Sequence, residues 1–111
     1  MNDLSVVWER VDYNGKRIRL TSIQIYHISF FHPEVLVKEE MLISTLAKPD
    51  IVTEGGGPKI RVLYRSHENT PVGDKYLAIV LKELNEEGFI VTSYFTDSIR
   101  RKRVIWKKTS S

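Results

Sequence analysis

Tyr76-Leu77-Ala78-Ile79-Val80-Leu81-Lys82 is the run on which the fold turns. A near-continuous apolar run of this length is the pattern of a strand covered on both faces, so it is expected at the centre of a sheet. Downstream, residues 83–88 turn the chain and Phe89-Ile90-Val91-Thr92-Ser93-Tyr94-Phe95-Thr96 reads as the next strand. Strict alternation there puts Ile90, Thr92, Tyr94 and Thr96 on one face and Phe89, Val91, Ser93 and Phe95 on the other. Upstream, Ile60-Arg61-Val62-Leu63-Tyr64-Arg65 is a strand with both arginines on one side and Tyr64 on the other. The polar residues 66–74 between them are expected to form a loop. Ile51-Val52-Thr53, entered by a Pro49-Asp50 turn, and Val104-Ile105-Trp106 complete the set. The three glycines in Glu54-Gly55-Gly56-Gly57-Pro58 match no phosphate-binding fingerprint, and no strand–loop–helix context follows, so a hairpin loop is expected.

Two helices precede these strands. Thr21 or Ser22 is a suitable N-cap. Ile23, Tyr26, His27 and Phe30 then fall at i, i+3, i+4 and i+7, one face of a helix. Proline disfavours helical geometry at the residue before it, so this helix should end near Phe31 or His32, ahead of Pro33. A second helix spans about residues 34–47, with Leu42, Ile43, Leu46 and Ala47 as its apolar face. Its regular part starts near Val37 with Glu39 and Glu40 as first-turn acids, or else Glu39 points into a cleft. At the start of the chain, Val6-Val7-Trp8-Glu9-Arg10-Val11-Asp12-Tyr13 is rich in strand formers and Asn14-Gly15 is a strong hairpin signal. In Lys16-Arg17-Ile18-Arg19-Leu20 the apolar and basic residues alternate, giving an N-terminal hairpin with one apolar and one basic face. The expected class is α+β: an N-terminal β-hairpin and two α-helices packed on a four- to five-stranded antiparallel sheet, in one domain over residues 1–111.

Composition narrows the function classes. The chain has 111 residues and no cysteine, which excludes disulfides, zinc–thiolate sites and cysteine nucleophiles and favours a reducing cytoplasm. Met1-Asn2-Asp3-Leu4 lacks the basic and apolar regions of a signal peptide, and no apolar stretch approaches the ~20 residues that span a bilayer. The net charge is +3, and six of the 17 basic residues (Arg100, Arg101, Lys102, Arg103, Lys107 and Lys108) lie in the last dozen positions. Such a cluster is the footprint of a phosphate-binding face, or else a solvated terminal hairpin.

The chemistry-bearing stretch is His27-Ile28-Ser29-Phe30-Phe31-His32-Pro33-Glu34, which holds two of the three histidines and a carboxylate. Histidine and glutamate are the usual proton-transfer side chains near pH 7. The competing reading makes His27 a core histidine and His-Pro-Glu a helix–helix corner. Lys82, Arg61 and Arg65 offer positive charge, Thr92 and Tyr94 offer hydrogen-bond donors, and Tyr94 or Tyr64 could stack a base. His67 is expected as a surface residue of the polar loop. No His, Asp or Glu pair stands at metal-ligand spacing on a helix, so neither a metal nor another cofactor is expected.

The ordered series Leu20-Thr21, His27-Ile28, His32-Pro33-Glu34, Thr45-Leu46, Pro49-Asp50, Tyr64, Leu77, Lys82 and Ile90-Val91-Thr92-Ser93-Tyr94 resembles a widespread group of small prokaryotic and phage proteins. These are assigned to the barnase–EndoU–colicin–RelE-like nuclease superfamily, and the likeness runs over about residues 6–106. It implies two N-terminal helices on an antiparallel sheet whose cleft cuts RNA without a metal. By position it implies a site of His27, His32, Glu34, Lys82, Thr92 and Tyr94, with Ser93 where the group commonly has alanine. RNA would be held by Arg61, Tyr64, Arg65, Arg100, Arg101, Lys102 and Arg103. The expected protein is a toxin-like cytoplasmic endoribonuclease acting on tRNA or mRNA, held in check by an antitoxin or immunity protein. A non-catalytic basic RNA-binding or protein-interaction domain on the same scaffold is the alternative.

Overall fold

The computed structural model describes residues 5–109. Met1-Asn2-Asp3-Leu4, on which the expectation of no leader rested, lie outside the described residues. Strands β1 (Val6–Val11) and β2 (Arg17–Thr21) form the expected hairpin. Its turn is closed by the Asp12 carboxylate, which accepts from the N–H groups of Asn14 and Lys16, and by Gly15 at φ 78°. That left-handed angle is one that glycine adopts without a Cβ penalty. Helix α1 (Ser22–Phe31) follows β2 without a loop, and α2 (Pro33–Leu36) and α3 (Glu39–Ala47) come next. Then come β3 (Ile51–Glu54), β4 (Ile60–Thr70), β5 (Gly73–Glu83), β6 (Glu87–Thr96) and β7 (Val104–Lys107).

The class is α+β, but the sheet is larger than expected and mixed. Seven strands run in the order β1-β2-β6-β5-β4-β3-β7. All neighbours are antiparallel except β2 and β6, which pair in parallel from Arg17↔Glu87 to Arg19↔Phe89. That one pairing joins the N-terminal hairpin to the main sheet, and no local sequence pattern announces it. β5 is central, as its apolar run requires. The β4–β5 hairpin is longer than expected: residues 66–74 pair on to Thr70↔Gly73 instead of looping. Their side chains are polar because this end reaches past the core, while the backbone ladder continues regardless.

One face of the sheet is covered by the helices. Ile18, Leu20, Val52, Leu63, Leu77, Ile79, Leu81 and Ile90 pack there against Ile28, Val35, Leu42 and Leu46. Burying one such side chain contributes about 1.5–3 kcal/mol. The other face carries Val62, Tyr64 and Ala78, flanked by Ile51, Tyr76, Val80, Tyr94 and Ile99, and among the described residues no helix packs on this cluster.

Three local expectations are corrected. The second helix is not continuous but broken at Val37 and Lys38, while Glu39 and Glu40 open α3 as first-turn acids, as expected. In α1, Ile28 is buried and Ile25 packs on the core, while Ile23, Tyr26 and Phe30 face water. The helix is apolar nearly all round, so periodicity alone did not choose its inner face. In β6, Val80 pairs with Thr92 and Leu81 with Ile90, which makes Val91 the extra residue of a β-bulge. The bulge puts Thr92, Tyr94 and Thr96 on the same face as Phe89, and turns Ile90 to the helices with Ser93 and Phe95.

Candidate nucleic-acid site on the uncovered face

The helix corner sets His32. Its backbone N–H closes the last turn of α1 on the Ile28 carbonyl at 2.7 Å, and Pro33 starts α2. Proline is well placed at a first helical position, where its missing N–H would have no partner anyway. This corner lies beside β6. The His32 ring stands 5.7 Å from the Tyr94 ring, and the His27 ring, one turn earlier on α1, stands 6.5 Å from His32. Both imidazoles are half-buried, and His27 also meets Phe31 at 4.9 Å.

Tyr94 borders both this corner and Arg100 of the basic segment that follows β6. Burial first, and then the neighbouring Tyr64, raise its phenol above the usual value of 10.0, with Arg100 opposing. It stays protonated at neutral pH and can donate a hydrogen bond. The basic segment is anchored by Ile99, which packs on the Val62–Tyr64–Ala78 cluster, and by the Arg100 N–H, which donates to the Tyr64 hydroxyl at 3.4 Å. Arg100, Arg101 and Lys102 are exposed, whereas Arg103 is tied to Glu54 at 2.9 Å. Thr92 lies two residues before Tyr94 on the same face. Its hydroxyl oxygen is buried and has no protein partner, as is true of Thr21 at the end of β2.

Not every expected residue joins this group. Lys82 is on the same face but four residues along β5 from Ala78, the partner of Tyr94, or roughly 13 Å away. Its ammonium reaches the Pro58 carbonyl at 3.3 Å. Glu34 is half-buried in α2 and makes no ion pair or side-chain hydrogen bond among the described residues, so the expected support of His32 by Glu34 is not formed. Arg61 and Arg65 are on the helix-covered side. Arg61 pairs with Glu83, which also takes Lys16, and Arg65 donates to the Lys48 carbonyl at 2.6 Å. Tyr64 is on the right face but only 1% exposed, so no base can reach its ring.

Two features escaped the sequence. The first is the exposure of Tyr26, Phe30 and Phe31, hidden in an unbroken apolar helix. The second is His67, which lies in β4 and not in a loop. Its Nε2 is 2.8 Å from the Thr45 hydroxyl, which donates its own proton to the Met41 carbonyl at 2.7 Å. His67 therefore donates through Nε2–H, and burial, then Arg65, lower its pKa against a smaller opposing pull from Asp50.

Chemically, the α1–α2 corner and the adjoining edge of the uncovered face bring together two imidazoles, a protonated phenol, a hydroxyl with no protein partner and the Arg100 cation. That set can move protons and bind an anionic oxygen. Among the described residues no group of three His, Asp or Glu lies close enough to hold a metal ion. A larger hollow of about 920 Å³, between residues 14–17 and 84–87, contains no histidine. Among the described residues no helix is long and apolar enough to cross a membrane. No family model matches the chain, and no characterised protein or solved structure gives a significant match to it.

Proposed function

We propose that the protein is a small endoribonuclease of the barnase–EndoU–colicin–RelE-like type, cutting RNA by general acid–base catalysis without a metal. The observation that carries this reading is the meeting of His32 and His27, at the helix corner, with Tyr94 of the uncovered face, next to Arg100. In this reading one neutral imidazole takes the proton of a ribose 2′-hydroxyl. The 2′-oxygen attacks the adjacent phosphorus, and the 5′-oxygen leaves with a proton from the other, charged imidazole. The products are a 2′,3′-cyclic phosphate and a 5′-hydroxyl. His32, whose ring meets Tyr94 directly, is the favoured one of the two for the exchange. Tyr94 and Thr92 donate to the phosphoryl oxygens, and Arg100 offsets the charge that builds there. Lys82, further along the same face, meets a neighbouring phosphate. Glu34 remains a carboxylate beside the corner with no step assigned to it.

A cytoplasmic, toxin-like role on tRNA or mRNA, restrained by an antitoxin or immunity protein, follows from the same resemblance. The test is a gel assay of single-stranded RNA with the purified chain in excess chelator. Fragments ending in cyclic phosphate are expected. Salt-dependent binding without cleavage would instead favour a non-catalytic RNA-binding domain.

A further inference from the structure

The ring contacts continue past the histidines. From Tyr94 they pass to His32 at 5.7 Å, His27 at 6.5 Å, Phe31 at 4.9 Å and Phe30 at 4.9 Å. The outer members stand in water: Tyr26 is 71% exposed, Phe30 69% and Phe31 60%. Tyr26, His27, Phe30 and Phe31 line a shallow groove of about 350 Å³. Helix α1 carries no charged side chain, whereas the exposed Arg100, Arg101 and Lys102 follow β6, with Arg100 near enough to Tyr94 to act on its phenol. An uncharged aromatic surface and a basic segment thus both border one tyrosine.

A single-stranded nucleic acid has the same division, with flat apolar bases on one side and phosphates on the other. In a duplex the base faces are hidden in the stack. A second copy of this chain fits less well, because docking two such faces would bring two basic segments of a +3 protein together. We propose that Phe30, Phe31 and His27 form a stacking track for unpaired bases, while Arg100, Arg101 and Lys102 take the phosphates. The track would make the protein prefer an unpaired strand to the same strand in a duplex. This rests on the ribonuclease reading of the same face and specifies what that face accepts.

The test uses a fluorescein-labelled 2′-O-methyl RNA of about 12 nucleotides, within the length such sites cover. It lacks the attacking hydroxyl, so anisotropy reads binding alone. The wild-type chain should bind the single strand about 10-fold or more tighter than the same strand annealed to its complement. Phe30→Ala,Phe31→Ala should weaken single-strand binding by about 10–100-fold, the range for lost base–aromatic stacking, and leave duplex binding unchanged. Phe30→Leu,Phe31→Leu should not restore it, because leucine returns apolar area but no ring. Both side chains are largely in water, and circular dichroism checks that the variants fold. Unchanged binding in the alanine variant, recovery by leucine, or no single-strand binding by wild type would overturn the track. So would a sedimentation dimer that the alanine variant abolishes, which would make the surface an interface between copies. Cleavage of unmodified RNA is followed in parallel. A wild type that cuts RNA while its binding ignores Phe30 and Phe31 overturns the track alone. One that never cuts, yet binds single strands through these rings, overturns the ribonuclease reading alone.

Discussion

The helix-covered face of the sheet and the uncovered face follow different rules. On the covered face Leu63, Leu77, Ile79 and Leu81 are at most 1% exposed. Buried polar atoms there have partners: the Ser93 hydroxyl donates to the Ala78 carbonyl at 2.7 Å, and Thr45 bridges Met41 and His67. On the uncovered face Tyr76, Val80 and Tyr94 are half-buried, and the Thr92 hydroxyl is buried with no protein partner. A buried polar atom without a partner costs about 1–3 kcal/mol, so it is tolerated where other contacts carry the fold. The difference teaches where to look for chemistry: one face is saturated by its own chain, and the other leaves donors and rings for a ligand.

The sharpest way to break this division is His32→Ala. Cleavage should fall about 10²–10⁴-fold, the usual loss for an acid or base, with the thermal midpoint nearly unchanged. A folded His27→Ala,His32→Ala chain that still cuts RNA at the wild-type rate would remove the site from this face. The covered face should respond in the opposite sense. Leu63→Ala or Ile79→Ala should cost about 2–5 kcal/mol in urea unfolding, since each leaves a cavity in a filled layer. Val80→Ala, on the uncovered side of β5, should cost about 1 kcal/mol or less. Equal losses on both sides would show that the two faces share the stability evenly.

Next in size is the basic segment. Arg100→Glu,Arg101→Glu should weaken RNA binding about equally for all sequences and lower the slope of log K against log salt by about 2. Unchanged titrations would return the segment to plain solvation. A smaller effect concerns the covered side's edge, where Glu83 holds Lys16 of the hairpin turn and Arg61 of β4. All three are partly exposed, so Glu83→Gln should cost about 1–2 kcal/mol and loosen the hairpin, measured by amide exchange near Lys16.

The smallest effect is the response to pH. Burial, then Arg65, hold His67 below its ordinary 6.5, so the unfolded chain takes up the proton first. Stability from this group is complete above about 6.5 and declines as pH falls through that value. Urea midpoints between pH 7.5 and about 5 should show the decline in wild type and less of it in His67→Gln. A midpoint that rises on acidification would contradict the assignment.

Several features were legible from local physics. The apolar run of residues 76–82 placed β5 at the centre, Asn14-Gly15 placed the hairpin turn, and Pro33 ended α1 at His32. Each depends on residues close in sequence. The location of a histidine pair at a chain corner was therefore readable, as was the exposed basic segment after β6. What surrounds them was not. Helix α1 offers apolar residues in nearly every direction, and only its direct exit from β2 decides that Ile28 turns inward while Phe30 stays in water.

The sequence by itself determined most of the strands and helices, though not the strand over residues 66–70 or the break at Val37 and Lys38, and it determined which residues can carry protons and charge. These follow from side-chain periodicity, proline and glycine geometry, and charge. The tertiary structure alone decided which of those residues meet. Alternation would have grouped Thr92 and Tyr94 with Ile90, but the extra residue at Val91 arises only when β6 pairs with β5. The parallel pairing of β2 with β6 brings residues about seventy positions apart into register, and α1 with its His32 corner follows directly from β2. Both are contacts between distant segments, chosen by how the whole sheet closes, and no window of sequence contains them.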